Sequence, residues 1–214
     1  MRTGVIVFPG VNCEHDVVEV VRALGGDADL VWHRETDLSD FDGVILPGGF
    51  AHGDALRTGA IARFSPAMTE VARMAAEGAP VLGICNGWQM LCESGLIPGA
   101  HIPNRDLSFI CRFVEVEVVD TDSILTRNTR VGQRLRIPLN SYEGNWVDPS
   151  GQGRIVLRYV DDPNGSQGRA AAVGNERGNV VGVMPHPERA SDRLLGSDDG
   201  LALIESFLHS LIPA

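Results

Sequence analysis

The stretch "VLGICNGWQML", residues 81–91, decides the fold. An apolar run stops in Gly-Ile-Cys-Asn-Gly, and the residues after it carry the mixed polar and apolar spacing of a helix. Read this way, a short buried strand turns sharply into a helix, with Cys85 at the turn. Gly83 and Gly87 stand two residues to either side of Cys85, the spacing of a G-x-S-x-G nucleophile elbow with cysteine in place of serine. Small neighbours allow the sharp turn and leave the sulfur open. The positive end of the following helix would favour a thiolate, and the backbone N–H of Asn86 would meet a developing oxyanion. The competing reading is a buried structural cysteine, which is what many free cysteines are.

Working outward from the elbow, the N-terminal half repeats the same unit. "TGVIVF" is an apolar run stopped by Pro9-Gly10, and Asn12 is placed to cap a helix running to about Leu24. "ADLVWH" and "DGVILPGG" read as two more strands, and Ser65-Pro66 as the cap and first residue of a helix that Gly78 ends. Continuous apolar strands separated by helices specify a parallel sheet covered on both faces. After residue 108 the pattern changes: "RFVEVEVV", "RIVLRYV" and "NVVGVM" are expected as antiparallel or edge strands added to that sheet, with a last helix over about 199–211. The expected fold class is therefore α/β, a mostly parallel doubly wound sheet with added antiparallel strands. No repeat or linker divides it, so 1–214 is read as a single domain.

Composition excludes several classes. At 43% hydrophobic residues the chain can bury one sizeable core, and a net charge of −10 gives no general attraction for nucleic acid or anionic membranes. No apolar stretch is long enough to span a membrane and "VIVF" is too short for a signal segment, so a soluble cytoplasmic protein is expected. The four cysteines Cys13, Cys85, Cys92 and Cys111 form no C-x-x-C pair, which predicts free thiols and no metal site.

A thiolate nucleophile needs a base, and among six histidines His186 stands out. In "VMPHPER" the flanking prolines push Met184 and His186 into extended geometry, where residues two apart share a face. Glu188 can then hold one ring nitrogen of His186 and leave the other for Cys85, the logic of a nucleophile, base and orienting acid. The bland alternative is a rigid surface turn with a solvated histidine and glutamate. "LPGGF" supplies a second glycine-rich strand end, where the loop of Gly48 and Gly49 can turn a backbone N–H toward a substrate carbonyl. A phosphate-cradling loop is the weaker rival, since neither common phosphate-loop spacing is present.

The remaining groups are less specific. Cys13, Glu14, His15 and Asp16 would point round the first helix and are read as solvated or capping. Cys92 is read as core, and Cys111 as packed. His33, His52, His101 and His209 have no triad-like neighbour, while Arg105, Asp106 and Arg112 fit either a charged substrate group or surface ion pairs.

"LPGGF", "LGICNGWQML" and "MPHPER", in this order, resemble the class I glutamine amidotransferases, whose fold is flavodoxin-like and whose triad is Cys, His and Glu. "FPGVNCEHD", "GGFAHGDALRTGAIARF", "NRDLSFICR", "DDPNGS" and "NERGNVVGVMPHPERA" narrow the resemblance to the glutaminase subunits of phosphoribosylformylglycinamidine synthases. The resemblance implies Cys85 as nucleophile, His186 as acid and base, Glu188 as orienting acid, and Gly49 and Asn86 as oxyanion donors. It also implies L-glutamine as substrate and a large synthetase subunit as partner, often bridged by a small third subunit. No cofactor is implied for this chain, since ATP and Mg²⁺ belong to the synthetase. Departures from the family pattern fall at Ala51-His52, Trp88 and Ser141, outside the triad. Two alternatives remain: a binding subunit that has lost catalysis, and a related elbow-cysteine protein of the peptidase or chaperone type. Substitution of Cys85 alone separates them, because only the glutaminase would lose glutamate release while keeping its fold and partner.

Overall fold

The computed structural model describes residues 1–212. The chain runs β1 (Arg2–Val7), α1 (Glu14–Ala23), β2 (Asp27–Trp32), β3 (Gly43–Leu46), α2 (Pro66–Glu77), β4 (Val81–Ile84) and α3 (Asn86–Glu93). It continues through β5 (Ala100–Ile102), β6 (Ile110–Val118), β7 (Arg134–Ser141), β8 (Asn145–Val147), β9 (Arg154–Tyr159), β10 (Ala170–Gly174), β11 (Val180–Val183) and α4 (Leu201–Ser210). Nine strands form one sheet in the order β2-β1-β3-β4-β11-β10-β9-β6-β7, and β5 pairs with β8 in a small ribbon. The first five of that order are parallel and the last four antiparallel, which is the α/β class expected from the strand–helix alternation.

The centre of the parallel half is buried because its strands β3, β4 and β11 carry no polar side chain. β3, β4 and β11 carry no exposed residue. Helix α3 lies over β3, β4 and β11, while α1 packs against α4. The close seat of α3 depends on glycine: a Cβ on Gly87 would drive into the Leu46 carbonyl of β3, and one on Gly182 of β11 into the Trp88 ring. Trp88, one of the departures from the family pattern, is thereby fully buried beneath the sheet's centre. Among the described residues no helix is long and apolar enough to cross a membrane.

Several expectations are corrected. "NVVGV" is not an added antiparallel strand: β11 sits in the middle of the sheet, parallel to β4, and only its hairpin partner β10 is antiparallel to it. Asn12 does not cap α1; the helix begins at Glu14, Cys13 holds the cap position, and no side chain caps it. Ser65 precedes α2 as expected, but its hydroxyl lies 2.8 Å from His33 Nδ1 instead of capping. Cys111 is exposed near the start of β6, opposite Asn140 of β7, and Cys92 is only half-buried against the core. Four strands escaped the pattern altogether, namely β5, β7, β8 and β10.

Candidate active site

The strand order reverses between β1 and β3, and in such sheets the crevice outside the carboxyl ends at that point receives ligands. Four parallel strands end there: β1 leads to Cys13, β3 to Gly48-Gly49, β4 to Cys85 and β11 to His186. Together they line a cavity of about 270 Å³, to which Asn140 to Glu143, at and just past the end of β7, also contribute. It is small beside the roughly 300–1,000 Å³ of drug-sized sites, and suits an amino acid better than a nucleotide.

Cys85 occupies the elbow with φ 50° and ψ −105°, a conformation that a non-glycine residue adopts only under constraint. The constraint is visible on both sides. Its N–H donates to Val183 O at 2.7 Å, and its carbonyl accepts from Trp88 and Gln89 as α3 begins. The thiol is 7% exposed and lies 3.5 Å from Asn140 O, so the sulfur faces the cavity.

His186 is extended, with φ −97° and ψ 91°, and its N–H donates to Pro138 O of β7 at 2.8 Å. The extended run ends there: Pro187–Arg189 closes one tight helical turn, and that turn brings Glu188 back toward the ring. His186 Nδ1 and Glu188 Oε1 lie 2.7 Å apart, with both residues only 2% exposed. Burial works against a charged ring, but the Glu188 charge and the nearby Cys85 and Cys13 thiols outweigh it, holding His186 well above the ordinary histidine value. With Nδ1 turned to Glu188, Nε2 is left buried and without a hydrogen-bond partner among the described residues.

Gly49 has φ 143°, and a Cβ there would overlap the backbone of Val11. It faces Val11 in an isolated antiparallel bridge whose hydrogen bonds come from the flanking residues: Asn12 N to Gly48 O at 3.3 Å and Phe50 N to Gly10 O at 2.9 Å. In such a pair the residues' own N–H groups turn away from each other, so that of Gly49 points away from the β1–α1 turn. Asn86 opens α3, and its N–H has no intrahelical acceptor. Its side chain ties the two donors together, since Asn86 Oδ1 accepts from Ala51 N at 2.9 Å.

Cys13 is where sequence reasoning went furthest astray. It is not solvated but 1% exposed, with Sγ 3.9 Å from His186 Nδ1 and accepting from Arg189 Nη2 at 3.2 Å. Arg189 in turn pairs with Asp16 at 3.0 Å. Cys13, His186 and Glu188 bring potential metal-ligand atoms within 4.8 Å of one another. The His186–Glu188 contact and the Arg189 cation already occupy that arrangement, so its chemistry is that of a hydrogen-bonded base. Asp54, Thr58, Gln89 and Glu143 also line the cavity and were not singled out from local sequence. For Asp54 and Glu143 the signal was a neighbouring glycine, Gly53 in the β3–α2 connection and Gly144 just before β8. The other candidates lie elsewhere: Arg105 pairs with Asp162 at 2.8 Å on the surface, and burial pushes His101, against Trp88, down to about 3.

Comparison with known proteins agrees with this geometry. The CobB/CobQ-like glutamine amidotransferase domain matches residues 1–198. A phosphoribosylformylglycinamidine synthase subunit PurQ from Rubrobacter xylanophilus is 50% identical over 97% of this chain and 98% of its own length. The Nocardia farcinica subunit of that name is 49% identical over 100% and 99%. Among solved structures, PurLQS from Thermotoga maritima superposes with a TM-score of 0.95 at 41% identity, covering 99% of both chains. A further glutamine amidotransferase from the same organism shares the fold, with a TM-score of 0.70 at 18% identity.

Proposed function

We propose a mechanism from one premise: the chain belongs to the CobB/CobQ-like glutamine amidotransferases and, by identity along nearly its whole length, to the glutaminase subunits of phosphoribosylformylglycinamidine synthase. It hydrolyses L-glutamine to L-glutamate and ammonia, and works with a synthetase subunit that uses the ammonia. The partner converts formylglycinamide ribonucleotide to formylglycinamidine ribonucleotide in purine biosynthesis.

In the proposed reaction the Cys85 proton rests on His186 Nε2, and Sγ attacks the side-chain amide carbon of glutamine. Negative charge collects on the amide oxygen, where the N–H groups of Gly49 and Asn86 receive it. His186 returns the proton to the departing nitrogen, ammonia leaves, and a γ-glutamyl thioester remains on Cys85. A water molecule then loses a proton to His186 and adds to the thioester, which collapses to glutamate and the free thiol. Glu188 fixes the ring's tautomer and stabilises the imidazolium that appears in both halves.

The observation that carries this reading is the buried 2.7 Å contact between His186 Nδ1 and Glu188 Oε1, behind a ring whose other nitrogen is unpartnered in the cavity shared with Cys85. The family match over residues 1–198 is the support for reading 1–214 as one amidotransferase domain. The remaining expectations are a cytoplasmic location, a small bridging subunit, and ATP with Mg²⁺ bound by the synthetase and no cofactor in this chain. A glutamine-mimicking diazoketone, followed by intact-mass measurement and peptide mapping with and without the synthetase, tests the assignment. One adduct on the Cys85 peptide, blocked by excess glutamine and absent from Cys85→Ala, is expected. An adduct elsewhere, or none even in the complex, would overturn it.

A further inference from the structure

Asn12, free of the capping role expected for it, turns its side chain to the sulfur of the next residue. Cys13 Sγ donates to Asn12 Oδ1 at 3.2 Å, accepts from Arg189 Nη2 at 3.2 Å, and lies 3.9 Å from His186 Nδ1. With the thiol's one proton taken by Asn12, the sulfur's lone pairs face two donors, the guanidinium and the imidazole N–H. Arg189 is fixed in turn, because its Nε donates to Asp16 Oδ2 in the first turn of α1 at 3.0 Å. A chain of polar contacts therefore runs from Asp16, outside the cavity, through Arg189 and Cys13 to the catalytic ring.

The backbone builds this arrangement. Gly48 O accepts from both Asn12 N and Cys13 N at 3.3 Å, which holds the β1–α1 turn against the end of β3. A Cβ on Gly48 would stand 3.1 Å from Cys13 Sγ and 2.7 Å from His186 Cε1, so sulfur and ring close over that glycine. The electrostatics agree with the packing. Burial opposes charge on His186, Glu188 and Cys85 offset it, and the Cys13 contact adds to them. Behind Cys13 stand Arg189 and Asp16; β7 meets the base through Pro138 O, and α4 buries no charged side chain. Asp54 and Glu143 line the same cavity, where burial and the Glu143 charge raise the Asp54 carboxyl to about 6, and both stay in place in every variant below.

We infer that Cys13 is a positioning residue for the catalytic base: its sulfur, oriented by Asn12 and held by Arg189 and Asp16, keeps the His186 ring in place and supports its protonated form without itself reacting with glutamine. The inference rests on the glutaminase reading and goes beyond it, because it gives the turn between β1 and α1 a part in the reaction. The sulfur contacts two positive groups, the permanent Arg189 cation and the imidazolium that forms in each half of the cycle. Without it the ring loses an acceptor and gains an unshielded cation nearby, and both effects favour the neutral imidazole.

The test is the pH profile of kcat/KM for glutamine, measured on the complex with the synthetase, whose alkaline limb reports loss of the imidazolium proton. In Cys13→Ala that limb should move down by about 0.5–1 pH unit, the size of one weak hydrogen bond to the charged ring. Cys13→Ser, whose hydroxyl can also donate to Asn12 and accept from Arg189, should keep the limb within about 0.3 unit of the wild type. Arg189→Lys keeps the charge but cannot hold Asp16 and the sulfur in one fork, so it should shift the limb in the same direction, and it reads the inference alone if Cys13→Ala is insoluble. Combining the two should shift it no further than Cys13→Ala does, because both act through one contact. A fall in kcat/KM that is uniform across pH would reduce Cys13 to packing and overturn the inference. A serine variant shifted as far as the alanine one, or additive shifts in the double variant, would also overturn it. Wild-type Cys85 that iodoacetamide alkylates equally with and without excess glutamine would instead remove the glutaminase premise, a failure distinguishable because it precedes any variant.

Discussion

Replacing Glu188 by glutamine separates orientation from nucleophilicity. The amide oxygen of the introduced side chain can still accept from His186 Nδ1–H at the observed 2.7 Å, so the ring keeps its place and tautomer while the charge behind it disappears. A hydrogen bond to a charged partner contributes roughly 1.5–3 kcal/mol and a neutral one about 0.5–1.5, leaving a deficit of about 1–2 kcal/mol whenever the imidazolium forms. That corresponds to a fall in kcat of roughly 5- to 30-fold, against a complete loss of thioester chemistry in Cys85→Ala. Matched turnover assays on the complex read both numbers. The pH profile adds a second check, because without the Glu188 charge burial is left to push the ring down and the imidazolium forms only at lower pH. The stability of the wild type should carry the same signature. A histidine raised in the folded state contributes stability that is fully present below about pH 6.5 and lost as pH rises through its higher folded value, and this dependence should flatten in the variant. Equal turnover losses in Glu188→Gln and Cys85→Ala, with unchanged pH dependence, would refute the division of roles.

Two further outcomes follow from the same geometry. Cys13→Ala removes the sulfur that accepts from Arg189 and lies beside His186; glutamine turnover should fall roughly 3- to 30-fold, from the loss of one charge-assisted contact, while the diazoketone still labels Cys85. A loss as complete as that of Cys85→Ala, with the adduct mapped to Cys13, would reassign the nucleophile. Asp54→Asn should stabilise the ligand-free protein. A carboxyl raised to about 6 makes the folded state lose stability as pH rises from about 4 to about 6, and after allowance for solvent at a half-exposed side chain the gain at neutral pH is about 1 kcal/mol. Urea unfolding above and below pH 6 measures it, and a variant less stable than the wild type at neutral pH would contradict the unrelieved repulsion.

The parts of the fold legible in the sequence are those whose physics is local. β1, β3 and β4 read as strands because each is a short apolar run ended by glycine or proline, and the α2 boundary reads correctly because Pro66 opens it and Gly78, at φ 98°, ends it. Pairing direction is not local. β11 carries the same continuous apolar signature as β4, yet its place after the alternating segments that begin at residue 108 groups it with them as antiparallel or edge, while the structure pairs it parallel to β4. β10 escaped because "AAAVG" is rich in alanine, a poor strand former that the fully buried site selects for size. β7 contains Pro138, which argues against a central strand; it is in fact the edge strand of the sheet.

The site divides along the same line. The elbow and the Pro-His-Pro-Glu run each constrain their own backbone, so Cys85, His186 and Glu188 are visible one segment at a time and need only the convergence of strand ends to meet. Cys13 was hidden by a boundary one residue out. Placed in the first turn of a helix capped by Asn12 it points to solvent, but with Cys13 itself at the cap position it belongs to the turn after β1, on the ligand side of the sheet. Asp54 and Glu143 had no local mark except the glycines beside them, since neither is in a strand or an α-helix and each is ordinary until the other's charge is near. Their arrangement is locally unfavourable, with like charges half-buried together and a left-handed backbone at Asp54. Folding consistency would remove such a feature, so its persistence has to be accounted for by something the folded chain meets later.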